Sequence, residues 1–360
     1  MDFKVEYVLY LYSFISIALI FYNIKYIFSK NRENEVHKFL VNKYIKEYDN
    51  DIILLKRREN IDRKYYKKIV KELKNINNLL AFHDAIMLKK ETEDFKIYKD
   101  FIYDVFLDLS IFYNKKSDME KALFAYIIGE LNIEKENNRK LDTKIINFLE
   151  KPSVYLVENT LKAFIRLGHK DSLIKTLNIL NFKKISHNEK LISDGLLEYK
   201  GDKLELAKEL WEYRNQWMIP YVKSIIKFIR VIGSDFKEEF YQALKNENLH
   251  IEIKIDLIRY FGKVKYNKIL DYLLDLFETK KNVDSNLLIV IATTLGNYPS
   301  ERTVEALKKG MTNSNWYIRN NSCVSFLALN PLKENIDEIL NGNDKYARDI
   351  LIYQLEKGDK

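Results

Sequence analysis

Five histidines, at positions 37, 83, 169, 187 and 250, are the residues best suited to move protons or hold metals near neutral pH. None stands three or four residues from another, so no helical turn offers two imidazoles to one ion. There is no His-Glu-x-x-His, no cysteine pair and no acidic calcium loop. Phosphate-cradling loops of the Gly-x-x-x-x-Gly-Lys-Ser/Thr and Gly-x-Gly-x-x-Gly types are absent, as is the Gly-x-Ser-x-Gly elbow. Carboxylate pairs occur only along helix faces, where solvated charge is ordinary. We therefore expect no metal, no cofactor and no catalytic residue, and the chain is not expected to be an enzyme.

One set of residues has the right chemistry for recognition. Arg166, Arg230 and Arg259 each stand two or three positions before a helix-closing glycine, and Arg319 lies early in its own helix. Guanidinium groups bind carboxylates or phosphates through paired hydrogen bonds. Trp316, with Tyr260 and Tyr298, adds aromatic side chains of the kind that anchor protein interfaces. Arg166, Arg230, Arg259, Trp316 and Arg319 are thus the candidate partner-binding residues. The competing account is local: cations near a helix C-terminus suit the helix dipole and neutralise acids such as Glu198 and Asp256, and Tyr260 and Tyr298 can equally pack in a core.

These residues need helices to carry them. From Asn315 to Asn330, Ile318, Ser322, Phe326 and Leu329 recur at three and four, with Val324 and Leu327 beside them. Asn315 is an N-cap candidate, and Asn330-Pro331 is a stop signal. The same ending recurs at Gly168, Gly201, Gly233, Gly262, Gly296 and Asn330, spaced by 33, 32, 29, 34 and 34 residues. Further helical patterns lie between, over 172–182, 203–213, 236–244, 268–277, 304–311 and 336–340. A two-helix unit at this period predicts an α-solenoid, in which each hairpin covers the apolar face of the next. No sustained alternation of period two appears, so no sheet is predicted and the fold class is all-α. The lone Cys323 excludes an intrachain disulfide and falls where a small buried residue fits.

The opening Trp316-Tyr317-Ile318-Arg319, followed by small and then Leu-rich residues, resembles the second helix of a HEAT repeat. That pattern usually carries a turn Asp and an early Val-Arg pair; here Asn315 and Ile318-Arg319 stand in those places, and the other copies match in period and closing Gly alone. The resemblance covers residues 151–360 and implies a right-handed HEAT-type solenoid whose second helices line a concave face. HEAT-like proteins include scaffolds, adaptors, bilin lyases and alkylpurine DNA glycosylases, so it implies fold more than function.

Toward the N-terminus, Tyr7 to Ile24 form a run of 18 uncharged residues. As a helix this run rises about 27 Å, close to the thickness of a bilayer core. Tyr7, Tyr10 and Tyr12 at one end, with Tyr22 and Tyr26 at the other, resemble interfacial aromatic belts. We expect a short tail over 1–6, a transmembrane anchor over 7–28, a basic stalk over 29–58 and an irregular helical cap over 59–150, followed by the repeats. Within that cap, Ile61, Tyr65, Ile69, Leu73, Ile76 and Leu80 predict one amphipathic helix with a lysine-rich outer face.

Charge is uneven along the chain. Residues 25–90 hold 17 Lys/Arg against 9 Asp/Glu, and residues 91–360 hold 42 against 41. The excess lies on the C-terminal side of the apolar run, so the positive-inside rule predicts the N-terminus outside and the C-terminal bulk in the cytoplasm. Lys25, Lys30, Arg32, Lys56, Arg57 and Arg58 are the candidate membrane-surface residues, with anionic lipid headgroups expected near 25–74. A protein partner at the membrane is the leading expectation, with a role as accessory to a synthase or transporter. The alternative is a nucleic-acid binder of the glycosylase type, which the near-neutral balance beyond residue 90 disfavours.

Overall fold

The computed structural model describes residues 5–57, 61–233, 235–278 and 283–358. Among them there is no strand, and a lone bridge joins Lys135 and Asn138. The contacts divide the chain into two compact units, Met1–Leu173 and Ile174–Lys360.

The first unit begins with α1, an unbroken helix of 52 residues from Val5 to Lys56, about 78 Å long at 1.5 Å per residue. Every side chain from Tyr10 to Val36 is exposed, including Phe14, Phe21 and Phe28. Beyond this, one face of the same helix is covered: Tyr44, Tyr48 and Ile52 are buried. The segment expected as a stalk is therefore the continuation of the apolar helix, and its second half belongs to the folded body. The reason is the return of a stripe at spacings of four once charges reappear on the other faces.

Next come α2 (Arg63–Glu72) and α3 (Ile76–Met87). The sequence pattern reads through both as one helix, but the structure breaks it at Asn75. The Asn75 side chain accepts from the backbone N–H groups of Asn77 and Asn78, restarting the helix. The Tyr113 hydroxyl donates to the buried Leu73 carbonyl at the break, at 3.0 Å. Helices α4 (Glu93–Tyr113), α5 (Asp118–Glu130), α6 (Lys140–Ile146) and α7 (Val154–Leu167) complete the unit. Ser117 and Glu120 close a capping box at the start of α5. Aromatic stacking fills the interior, with Tyr113 on Phe124 at 4.6 Å and Tyr44 edge-on to Phe82 at 5.6 Å. Helices α5 and α7 touch so closely that a Cβ on Gly129 would stand 2.8 Å from the Ala163 Cα.

Helix α8 (Lys170–Phe182) carries the chain into the second unit. There follow α9 (Glu189–Leu197), α10 (Lys203–Glu212), α11 (Ile219–Ile232), α12 (Lys237–Leu244), α13 (Ile251–Phe261) and α14 (Leu270–Glu278). The unit ends with α15 (Ser285–Leu295), α16 (Glu301–Gly310), α17 (Trp316–Ala328), α18 (Lys333–Leu340) and α19 (Lys345–Gly358). Packing here follows one rule: α9, α11, α13, α15, α17 and α19 each touch the next in that row, and α10, α12, α14, α16 and α18 each pair with the row helix that follows.

The closing residues turn out to serve two purposes. Gly233 takes a left-handed conformation at φ 68°, as does Asn330 at φ 52°, and both terminate helices as such residues do. Gly296 is right-handed; its lack of a side chain instead admits Ser325, which a Cβ would meet at 3.0 Å. On α17, Ile318, Ser322, Cys323, Ser325 and Phe326 are buried. Val324, which the spacing grouped with that face, points to solvent.

Candidate functional site

The arginines of the sequence pattern are held mostly by local partners. Arg166 pairs with Glu130 across the α5–α7 contact and lies over the Tyr126 ring. Arg259 reaches back one turn to Asp256, a buried carboxylate, at 2.9 Å. Arg230 is half-buried, and its Nε finds no acceptor among the described residues. Tyr260 and Tyr298 are core residues: Tyr260 Oη accepts from Phe236 N, and Tyr298 donates to the Phe261 carbonyl, both at 3.0 Å.

Arg319 and Trp316 are different, because the fold brings them to an open surface with residues that the sequence did not single out. The turn before α17 is built by asparagines. Asn313 Oδ1 accepts from Asn315 N at 2.8 Å, and Asn315 Oδ1 accepts from Tyr317 N at 2.9 Å. Arg319 Nη1 then donates to the carbonyls of Asn313 (2.7 Å) and Ser314 (2.9 Å), fixing the guanidinium beside the turn. Its other neighbour is Tyr346 on α19, whose ring centre lies 4.9 Å from the guanidinium carbon. Asn320 accepts from Gln354 at 2.6 Å and ties the two helices together.

Between these helices runs an open groove of about 450 Å³, lined by Trp316, Arg319, Tyr346, Asp349, Ile350 and Tyr353. The α19 contribution follows helix geometry, since positions 346, 349, 350 and 353 share one face. Trp316 is 49% exposed, Tyr346 63% and Tyr353 52%, an unusual density of aromatic surface. Asp349 has no ion-pair partner among the described residues. The groove thus offers three rings, one pre-set cation and one free carboxylate. Beneath it Cys323 is fully buried, and burial pushes its thiol up to about 12, so no thiolate nucleophile is on offer. Sequence reading singled out two of its six lining residues, Trp316 and Arg319. The signal for the rest was the tyrosine spacing in Lys345–Gln354, which has meaning only once α19 is known to lie against α17.

Of the membrane-surface candidates, Lys25, Lys30 and Arg32 fall on α1 at the end of the apolar stretch. Lys56 and Arg57 sit at its far end, about 42 Å farther along the axis than Phe28, and Lys56 pairs with Asp94 at 2.7 Å. Arg58 lies outside the described residues. On α2, Lys68 contacts Glu47 at 3.2 Å, deep along the same helix.

A buried titratable cluster lies elsewhere in the first unit. His169 lies between Asp142 (Nδ1 to Oδ2, 2.7 Å) and Glu134 (Nε2 to Oε2, 3.0 Å), and Ser172 donates to Asp142 at 2.6 Å. Burial works against an imidazolium here, yet the hydrogen bonds to Asp142 and Glu134 outweigh it and raise the His169 pKa. With His169, Asp142 and Ser172 all buried, the cluster is closed to substrates and reads as structural. Searches against family models and against curated proteins found no match.

Proposed function

We propose that the chain is a membrane-tethered scaffold: α1 crosses the bilayer once, and the helices beyond it form a HEAT-type α-solenoid that docks a protein partner. In this reading the N-terminus is outside and the body cytoplasmic, in keeping with the basic excess that follows the apolar run. The observation that carries the tether is the exposed apolar stretch Tyr10–Phe28, which is long enough to cross a membrane and continues without a break into a packed helix. The solenoid reading rests on the row α9 to α19 and on the repeat spacing of its glycines. The docking site is the α17–α19 groove, where rigid aromatic anchors surround a free carboxylate. A partner segment that fits it carries an apolar side chain to lie among Trp316, Tyr346 and Tyr353, with a Lys or Arg for Asp349.

The test is site-specific photocrosslinking in intact membranes. A photoreactive residue at Tyr353 is expected to capture one discrete partner, and Trp316→Ala with Asp349→Lys is expected to abolish the adduct while leaving the melting temperature within a few degrees. An adduct that survives both changes removes the groove from the reading.

A further inference from the structure

A second groove lies where the exposed and the packed parts of α1 meet. It has a volume of about 500 Å³ and is walled by residues 29–40 of α1 and by Asn77 and Leu80 at the start of α3. That volume is within the range of small-molecule sites, roughly 300–1,000 Å³. Its floor is apolar, from Val36, Leu40 and Leu80, while Ser29, Asn34 and Asn77 bring hydroxyl and amide groups to the walls.

Lys30, Arg32 and Glu33 line its mouth, and the two cations differ in state. Lys30 is paired with Glu33 at 3.1 Å, whereas Arg32 has no ion-pair partner among the described residues. The depth of the groove follows from the tether. A headgroup layer is about 5–7 Å thick on each side of the hydrocarbon core, which is roughly four residues of helix. If the core ends near Phe28, Ser29 to Arg32 stand at phosphate depth and Asn34 to Leu40 just beneath it. On α2, Lys68 pairs with Glu47, about 22 Å farther along α1 than Arg32, beyond a Debye length of about 8 Å at physiological salt.

We propose that this groove binds the headgroup of one anionic phospholipid, with Arg32 on its phosphate and the polar headgroup atoms against Asn34 and Asn77. The proposal rests on the membrane tether put forward above and narrows its lipid contact from a diffuse basic region to one built site. A guanidinium matches a phosphodiester through paired hydrogen bonds in a way that a scattered lysine field does not.

The test uses the full chain in nanodiscs containing phosphatidylglycerol and phosphatidylcholine, with retained lipid counted by native mass spectrometry. The wild type is expected to keep one phosphatidylglycerol with about fivefold preference. Arg32→Gln and the groove-filling Leu80→Trp should each bring that preference near unity. Lys25→Gln, close in depth but outside the groove, should leave most of it. Equal loss in all three variants would mean general electrostatics and overturn the site, as would retained preference in Leu80→Trp. Extraction of the wild type from bilayers by alkaline carbonate overturns the tether and this site together, whereas a firmly inserted chain without lipid preference overturns the site alone.

Discussion

Along α1, the stretch Tyr7–Phe28 and the stretch His37–Ile52 draw on much the same vocabulary of Tyr, Ile, Leu and Val. In the first, every described side chain from Tyr10 on faces outward; in the second, Tyr44, Tyr48 and Ile52 are enclosed by α3 and α4. What separates them is where charge is allowed. The first stretch has apolar side chains all round and nearly none of the charges that would select a face. The second sets Lys38, Lys46 and Asp49 outside and leaves a stripe for the core. A helix apolar on every side suits lipid, while a striped one suits a protein neighbour.

The largest effect that would sharpen this contrast compares one residue type in two places. Tyr44→Ala is expected to cost about 3–5 kcal/mol, as for other buried aromatics cut to Ala, whereas Tyr10→Ala should leave the unfolding of the body nearly unchanged. Urea denaturation of the two variants reads the difference, and equal losses would break the comparison. Next in size is Ile17→Lys, which should oppose bilayer insertion by about 3 kcal/mol and move protein into the carbonate-soluble fraction without lowering the melting temperature of the body.

Two pH predictions concern titratable groups buried in the first unit. Asp51 is buried beneath Tyr65; burial first, and the nearby Glu47 next, raise its pKa from 3.8 to about 7, against opposing hydrogen bonds from Tyr65 and Tyr98. Because the folded value lies above the unfolded one, its contribution to stability is full below pH 3.8 and is lost as pH rises to about 7. The loss runs at about 1.4 kcal/mol per pH unit in that window. Asp51→Asn should flatten the slope between pH 4.5 and 7 in melting curves; an unchanged slope refutes the assignment. His169 acts in the next window, since its raised pKa gives stability that is complete below its unfolded pKa of 6.5 and fades as pH rises through the folded value. His169→Asn should remove that alkaline decline, an effect of about 1 kcal/mol, the usual size for a buried hydrogen-bonded group.

How much was legible in advance depended on how local the cause was. The Asn315 cap and the helical class both follow from neighbours within one turn, and both are present. The break at Asn75 was missed because the apolar stripe runs unbroken from Ile61 to Leu80, while the cap that divides it uses one side chain and a tyrosine 38 residues away. Val324 was misplaced for a similar reason: a broad apolar run does not say which of its edges a neighbour will cover. In the candidate site, Trp316 and Arg319 were visible as residue types. Tyr346, Asp349 and Tyr353 were not, since only the packing of α19 on α17 gives them a common surface.

By itself the sequence determined the elements: an uncharged run of lipid length, amphipathic helices closed at a near-constant interval, and no motif for metal or phosphate chemistry. Those follow from hydrogen bonding and hydrophobic period along the chain, which are short-range. Tertiary structure alone decided that the apolar helix runs on into the body, that Arg166 and Arg259 are held by Glu130 and Asp256, and that two grooves open beside Arg319 and Arg32. Which side chains meet across helices depends on how faces separated by dozens of residues interlock, and that information resides in packing rather than in order along the chain.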